Sequence, residues 1–290
     1  MKRRRHTTLI FFALFVAGLL RAEAQPMPVD ENKIPKQFAQ VSLVFNRIFN
    51  GSGLDTFYQR LQQLKKTKTG RITIVHIGDS HLQSDDLPGV VRKGLQEFFG
   101  DAGKGASFSK TLAVTESVKY KDSTGILYQA IGINGARFDT YNQSVSIWQQ
   151  VEQLKPDLFI ISLGTNDAQT NDFNESSFQQ QVTQLLNNLK KASPSAAVLM
   201  TTTADSFKAG KPNRELWNIN LSLFGYCGSN NIPVWDMYRV TNGFGSAWNW
   251  WKKGMLNRDG IHFTAKAYKI QGQLLFNALA KGYNSYISNY

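Results

Sequence analysis

Apolar and polar positions alternate along this chain with two different periods. Between residues 54 and 64, Leu54, Phe57, Tyr58, Leu61 and Leu64 recur every three or four positions and predict a helix. A basic turn at 65–70 follows, and the pattern then changes. Short apolar runs at 71–77, 127–133, 157–163, 197–203 and 233–238 predict strands. Stretches with helical spacing at 87–99, 144–154, 173–191, 214–229 and 265–281 predict helices. Runs such as Leu158-Phe159-Ile160-Ile161 lack the polar alternation of a half-exposed strand, as expected for strands covered on both faces. Helices between successive strands make the sheet mainly parallel. The expected fold class is therefore α/β: a three-layer α/β/α sandwich with a mainly parallel five-stranded sheet.

Two stretches stand outside this rhythm. Residues 26–40 are polar, carry Pro26, Pro28 and Pro35, and read as a loose leader. Residues 100–125 begin with Gly100, Gly103 and Gly105 and continue into a β-leaning segment at 108–118. They predict a surface excursion with a short hairpin.

The first residues change the picture of where the protein works. Lys2-Arg3-Arg4-Arg5, an apolar run from Leu9 to Leu20 and Ala22-Glu23-Ala24 together have the form of a cleavable secretory signal. The apolar run falls short of the roughly 20 residues that span a bilayer. The expected organisation is a signal peptide at 1–24, a leader and helix at 25–70 and one α/β domain at 71–290, in the periplasm or secreted, without stable membrane insertion. Cleavage would remove five basic residues and one acid from a formal charge of +12, leaving +8. That balance suits an anionic partner such as a cell-wall polymer, or is simply a solvated basic surface. Nucleic acid is a poor partner for an exported chain with no recognisable binding motif. Cys227, the only cysteine, lies in an apolar stretch and reads as a buried structural residue. Beyond residue 24 the histidines are His76, His81 and His262, with no zinc-type spacing. No metal and no cofactor are expected.

The chemistry lies in four short blocks. Thr73-Ile74-Val75-His76-Ile77 runs into Gly78-Asp79-Ser80-His81, which places a serine hydroxyl at the carboxyl end of a strand. Gly132-Ile133-Asn134-Gly135 and Gly164-Thr165-Asn166-Asp167 follow two further strands, and Asp259-Gly260-Ile261-His262 precedes the last helix. A serine is a weak nucleophile until a base takes its proton, and Asp259 and His262 stand close enough for the carboxylate to orient an imidazole. On its own residues Asp259 is equally a helix cap ahead of Ala265.

These four blocks, in this order, resemble the SGNH (GDSL-type) hydrolases, and the likeness extends from about Arg71 to the last helix. The resemblance implies a flavodoxin-like sheet with Ser80 as nucleophile, His262 as general base and Asp259 as its orienting partner. It also implies an oxyanion hole made of the Ser80 and Gly135 backbone N–H groups and the Asn166 amide. The departure is His81, where the name-giving motif has leucine. Gly-Asp-Ser-His together with Gly-Ile-Asn-Gly-Ala and Asp-Gly-Ile-His-Phe-Thr looks more like the bacterial polysaccharide and peptidoglycan O-acetylesterase branch. The implied function is hydrolysis of O-acetyl esters on a glycan. The alternatives are an O-acetyltransferase with the same triad, a lipase or thioesterase for longer chains, and a glycan-binding protein with an inert site.

Other positions keep two readings. His81 either lines the site or packs against the following helix. Trp248, Trp250 and Trp251 either form a platform for a sugar ring or fill the core. His76, inside a strand, reads as a hydrogen-bonded core residue, and Asp79 and Asn134 read as turn formers.

Overall fold

The computed structural model describes residues 25–34, 41–105, 123–170 and 173–289. Among these residues the strands are β1 (Ile48–Phe49), β2 (Arg71–Gly78), β3 (Asp101–Gly103), β4 (Gly125–Gly132), β5 (Leu158–Ser162), β6 (Ala197–Thr201), β7 (Phe207–Lys208), β8 (Lys211–Pro212) and β9 (Val234–Trp235). The helices are α1 (Asp55–Thr67), α2 (Asp86–Phe99), α3 (Phe138–Asn142), α4 (Val145–Leu154), α5 (Glu175–Ala192), α6 (Arg214–Ser229), α7 (Met237–Val240), α8 (Ser246–Lys252) and α9 (Ala265–Asn289).

Seven strands form the central sheet in the order β1-β9-β6-β5-β2-β4-β3, and β7 and β8 make a separate small ribbon. All neighbours in the large sheet are parallel except β1, which runs antiparallel to β9. The α/β/α fold is as the apolar runs imply, but the sheet has seven strands rather than five. The two extra strands are its edges, β1 and β3. They are two and three residues long, too short to carry a period that could be read.

The continuous apolar strands divide their side chains between two cores by simple alternation. Ile72, Ile74, Leu158 and Ile160 face one way, onto α1, α2 and α9. Val75, Ile77, Phe159 and Ile161 face the other way, onto α3 to α6. Each helix contributes one apolar stripe, such as Val91 and Leu95 in α2 or Val182, Leu185 and Leu189 in α5.

Three differences from the sequence reading have local causes. The run at 233–238 is a strand only at Val234–Trp235, because the Asp236 carboxylate accepts the Arg239 N–H at 3.2 Å and turns the chain into α7. The leader is not loose where it is described. Met27 and Ile34 are buried, and Met27 exchanges two hydrogen bonds with the Asn284 side chain of α9, at 2.7 and 2.9 Å. Helix α9 itself runs to Asn289, beyond the expected 281. The expected signal at 1–24 and the hairpin at 108–118 lie outside the described residues.

With its edge strands set aside, the sheet has the doubly wound order 2-1-3-4-5. The first strand of that order is β2, lying between β4 and β5. Such a switch point opens a crevice at the carboxyl ends of the strands. Ser80 follows β2 there.

Candidate active site

Strand β2 ends at Gly78, and the next residue shapes the turn that holds the serine. Asp79 is buried, and its Oδ1 accepts the His81 backbone N–H at 2.9 Å, capping the short 3-10 turn Ser80–Leu82. Its Oδ2 accepts the Asn166 amide at 3.2 Å, tying this turn to the one after β5.

The second half of the site is the loop between α8 and α9. A bridge between Leu256 and Phe263 closes it, and the Asn257 N–H donates to the His262 carbonyl at 2.8 Å. Gly260 sits at its tip with φ +73°, and a Cβ there would lie 2.7 Å from the Phe207 ring. Only glycine fits both the left-handed backbone and that approach. Asp259 Oδ1 accepts the N–H groups of Ile261 and His262 at 2.8 and 2.9 Å. Asp259 therefore caps this turn rather than α9. Burial alone would raise its pKa, but those two N–H groups and the His262 ring outweigh it and hold the carboxyl below its ordinary value.

The two halves meet in one hydrogen-bonded line. Ser80 Oγ lies 2.8 Å from His262 Nε2, and His262 Nδ1 lies 2.9 Å from Asp259 Oδ2. With Nδ1–H donating to the Asp259 carboxylate, Nε2 presents a lone pair to the serine hydroxyl, as nucleophile activation requires. The line edges a cleft of about 660 Å³ whose walls include Asn134, Asn257, Phe263 and Tyr268.

The Asn166 amide also donates to the Ala136 carbonyl at 3.1 Å, so both its protons are held beside the serine turn. Gly135 is exposed with φ +71° and open space around it. Its neighbour Asn134, which read as a turn former, lines the cleft with Ser80.

His81 lies against the site. Its ring stacks on that of His262 with centroids 5.1 Å apart and planes 29° apart. Its Nδ1 shares a hydrogen bond of 2.8 Å with the Tyr268 hydroxyl. No sequence signal marked Tyr268, which reads as one more apolar position of a helix.

The three tryptophans separate. Trp248 and Trp251 are 40% and 47% exposed, packed edge to face at 5.9 Å, and Trp248 leans on Phe207 beneath the Gly260 turn. Trp250 does not share that surface. It is 3% exposed, with its ring edge-on to Phe263 at 5.6 Å, and so belongs to the core rather than to substrate.

Two other reactive residue types are buried away from this chemistry. His76 bonds Tyr128 and Ser162 on the neighbouring strands, both at 2.8 Å, and burial pushes its pKa down to about 3. Burial likewise pushes the Cys227 thiol up to about 12.

Solved structures share this architecture. A peptidoglycan O-acetylesterase superposes with a TM-score of 0.70 at 18% identity, over 79% of this chain and 96% of that one. A mutant acetyl esterase, solved with an acetate ion, gives 0.53 at 18% identity, over 74% and 99%. A carbohydrate esterase of family 3 from Talaromyces cellulolyticus gives 0.51 at 19% identity, over 76% and 99%. At these identities the likeness is one of fold. None of the curated proteins matches the sequence. The model of the GDSL-like lipase/acylhydrolase family matches residues 76–270, which takes in the serine turn, both intervening turns and the Asp259–His262 loop, and the chain belongs to that family.

Proposed function

We propose that this ester hydrolase is an exported O-acetylesterase acting on a carbohydrate, with an acetylated bacterial cell-wall glycan as the favoured substrate class. The observation that carries the reading is the hydrogen-bonded line from Ser80 through His262 to Asp259. In this reading Ser80 Oγ attacks the acetyl carbonyl as its proton passes to His262 Nε2. Asp259, kept anionic, steadies the imidazolium. The Ser80 and Gly135 N–H groups and one Asn166 amide proton receive the oxyanion. His262 then protonates the departing sugar oxygen, and water, deprotonated by the same base, releases acetate.

Several features support a small acyl group on a large alcohol. Among the described residues the walls beside Ser80 are mostly polar, with Gln83, Ser84, Asn134 and Asn257 among them, a lining better suited to a sugar than to a long acyl chain. The broad cleft and the exposed Trp248–Trp251 pair suit a polymer. Export rests on the basic and apolar pattern at 1–24, and among the described residues no helix is long and apolar enough to cross a membrane.

The test is acetate release from O-acetylated peptidoglycan, xylan and sialic acid, with Ser80→Ala as control. That substitution should preserve folding and lower kcat by roughly 10⁴-fold or more, the scale of triad deletions. A fully active Ser80→Ala enzyme would overturn the nucleophile assignment. Acetyl transfer to added oligosaccharide in place of acetate release would make the protein a transferase. Faster cleavage of 4-nitrophenyl octanoate than of the acetate would make it a lipase.

A further inference from the structure

The His262–Asp259 pair is exposed: their side chains are 36% and 48% accessible. Water competes for a hydrogen bond in such a place, so the bond alone fixes an imidazole weakly. Asp259 is anchored by the backbone N–H groups of Ile261 and His262, but it grips the His262 ring at one atom only, Nδ1. Rotation about that contact would swing Nε2 away from Ser80. A second constraint is needed on the face of the ring, and one residue supplies it.

His81 is that residue. It follows Ser80 directly, its own N–H is held by Asp79 at 2.9 Å, and its ring lies 5.1 Å from the His262 ring in an offset stack. The stack is fixed from behind. Tyr268 on α9 bonds His81 Nδ1 at 2.8 Å, meets its ring edge to face at 5.7 Å and accepts the Phe263 N–H at 3.2 Å. Tyr268 thereby couples the serine turn to the residue after His262.

We propose that His81 is a positioning residue: clamped by Tyr268, its ring forms the flat wall that keeps His262 aligned between Asp259 and Ser80. The proposal rests on the triad reading above and goes beyond it, since it concerns a residue that touches the base and not the reacting atoms. The ionisable groups facing His81 are Asp79, Asp259, His262 and Tyr268. Burial, with a smaller push from His262, lowers the His81 pKa and outweighs the opposing pull of Asp79 and Asp259. A neutral ring therefore lies against His262 when the latter becomes imidazolium, and it adds no opposing charge.

The experiment compares His81→Leu, His81→Phe and Tyr268→Phe with the unaltered protein, using 4-nitrophenyl acetate. Leucine is the residue of the name-giving motif at this place and so is compatible with the turn. His81→Leu should lower kcat by about 10- to 100-fold, the scale of a misplaced catalytic group, with KM held within about 2-fold. His81→Phe keeps a ring to stack and should recover most of that loss. Tyr268→Phe frees the clamp without removing the wall and should fall between them. In proton NMR, the low-field signal of the His262 Nδ1–H should persist in His81→Phe and broaden away in His81→Leu. Equal loss in the leucine and phenylalanine variants would overturn the proposal, as would full kcat in His81→Leu or a rise confined to KM. If His81→Leu fails to fold, Tyr268→Phe still decides through kcat and the same signal. Ser80→Ala run in parallel separates the two levels: an active Ser80→Ala protein sinks the triad reading, while an inactive one beside a fully active His81→Leu sinks only the positioning role.

Discussion

At the scale of residues, the site is built from side chains that each hold two things. Asn166 is the clearest case, because its two amide protons already go to Asp79 Oδ2 and the Ala136 carbonyl. To serve an oxyanion it must redirect one of them, which makes it a donor for the transition state rather than for the ground state. Asn166→Ala should therefore lower kcat by about 10²–10³-fold and leave KM nearly unchanged. A sharp rise in KM with kcat intact would make Asn166 a substrate contact instead. Its neighbour Asp167 carries a different prediction. Burial pushes that carboxyl up to about 7 against the opposing pull of the Phe138 N–H, which donates to Oδ1 at 3.4 Å, while Oδ2 has no hydrogen-bond partner among the described residues. An unfolded aspartate titrates near ~3.9. The folded chain thus binds this proton more tightly, so the contribution is fully present below about pH 4 and is lost as pH rises through about 7. Urea unfolding of Asp167→Asn should show a flatter pH dependence than that of the unaltered protein across this window. Equal slopes would mean that Asp167 is not held neutral. Ser80, Asp259 and His262 were legible in the sequence because each sits in a turn whose residues are adjacent in the chain. The links from Tyr268 to His81 and from Asn166 to Asp79 were not, since each joins residues 87 or more positions apart.

Among elements, legibility followed length. The long apolar runs and the 14- to 18-residue helices declared their period, while β1, β3 and the short helices α3, α7 and α8 hold less than two turns or two alternations. The docking of residues 25–34 on α9 was hidden for another reason: its polar part pairs Asn284 with the Met27 backbone, Asn277 with the Asp30 carbonyl and Lys281 with Glu31, contacts between distant residues that have no sequence pattern. The packing of α2 on α9 positions the site, because α2 begins just past the serine turn and α9 carries Tyr268. At their crossing a Cβ on Gly272 would lie 2.5 Å from the Leu87 carbonyl oxygen and 3.0 Å from Val90 Cβ. A backbone oxygen cannot yield without moving its helix. In spite of alanine's better helix propensity, Gly272→Ala should destabilise the fold by about 1–3 kcal/mol, as overpacking does. In thermal unfolding that is a fall in Tm of roughly 2–4 °C per kcal/mol for a chain of this size. An unchanged or raised Tm would show that the two helices separate freely.

For the molecule as a whole, the doubly wound sheet places the serine in a crevice, and the α8–α9 region decides what can reach it. Trp248 and Trp251 stand on α8, exposed, with Trp248 seated on the Phe207 ring that also supports the Gly260 turn. An aromatic face beside a catalytic loop contributes through contact with a large substrate and little through the chemistry of a small one. Trp250 faces inward from the same helix, so the three residues form an internal control. Trp248→Ala and Trp251→Ala should weaken action on a polymeric acetylated glycan by about 3- to 10-fold, the worth of one aromatic contact, and leave 4-nitrophenyl acetate hydrolysis nearly unchanged. Trp250→Ala should instead remove core packing and destabilise the fold by about 3–5 kcal/mol, with activity on both substrates falling together as the protein unfolds. Tm and the two specific activities, measured side by side, separate the cases. If Trp248→Ala and Trp251→Ala lower both activities equally, the exposed pair supports the Gly260 turn through Phe207 and does not bind sugar.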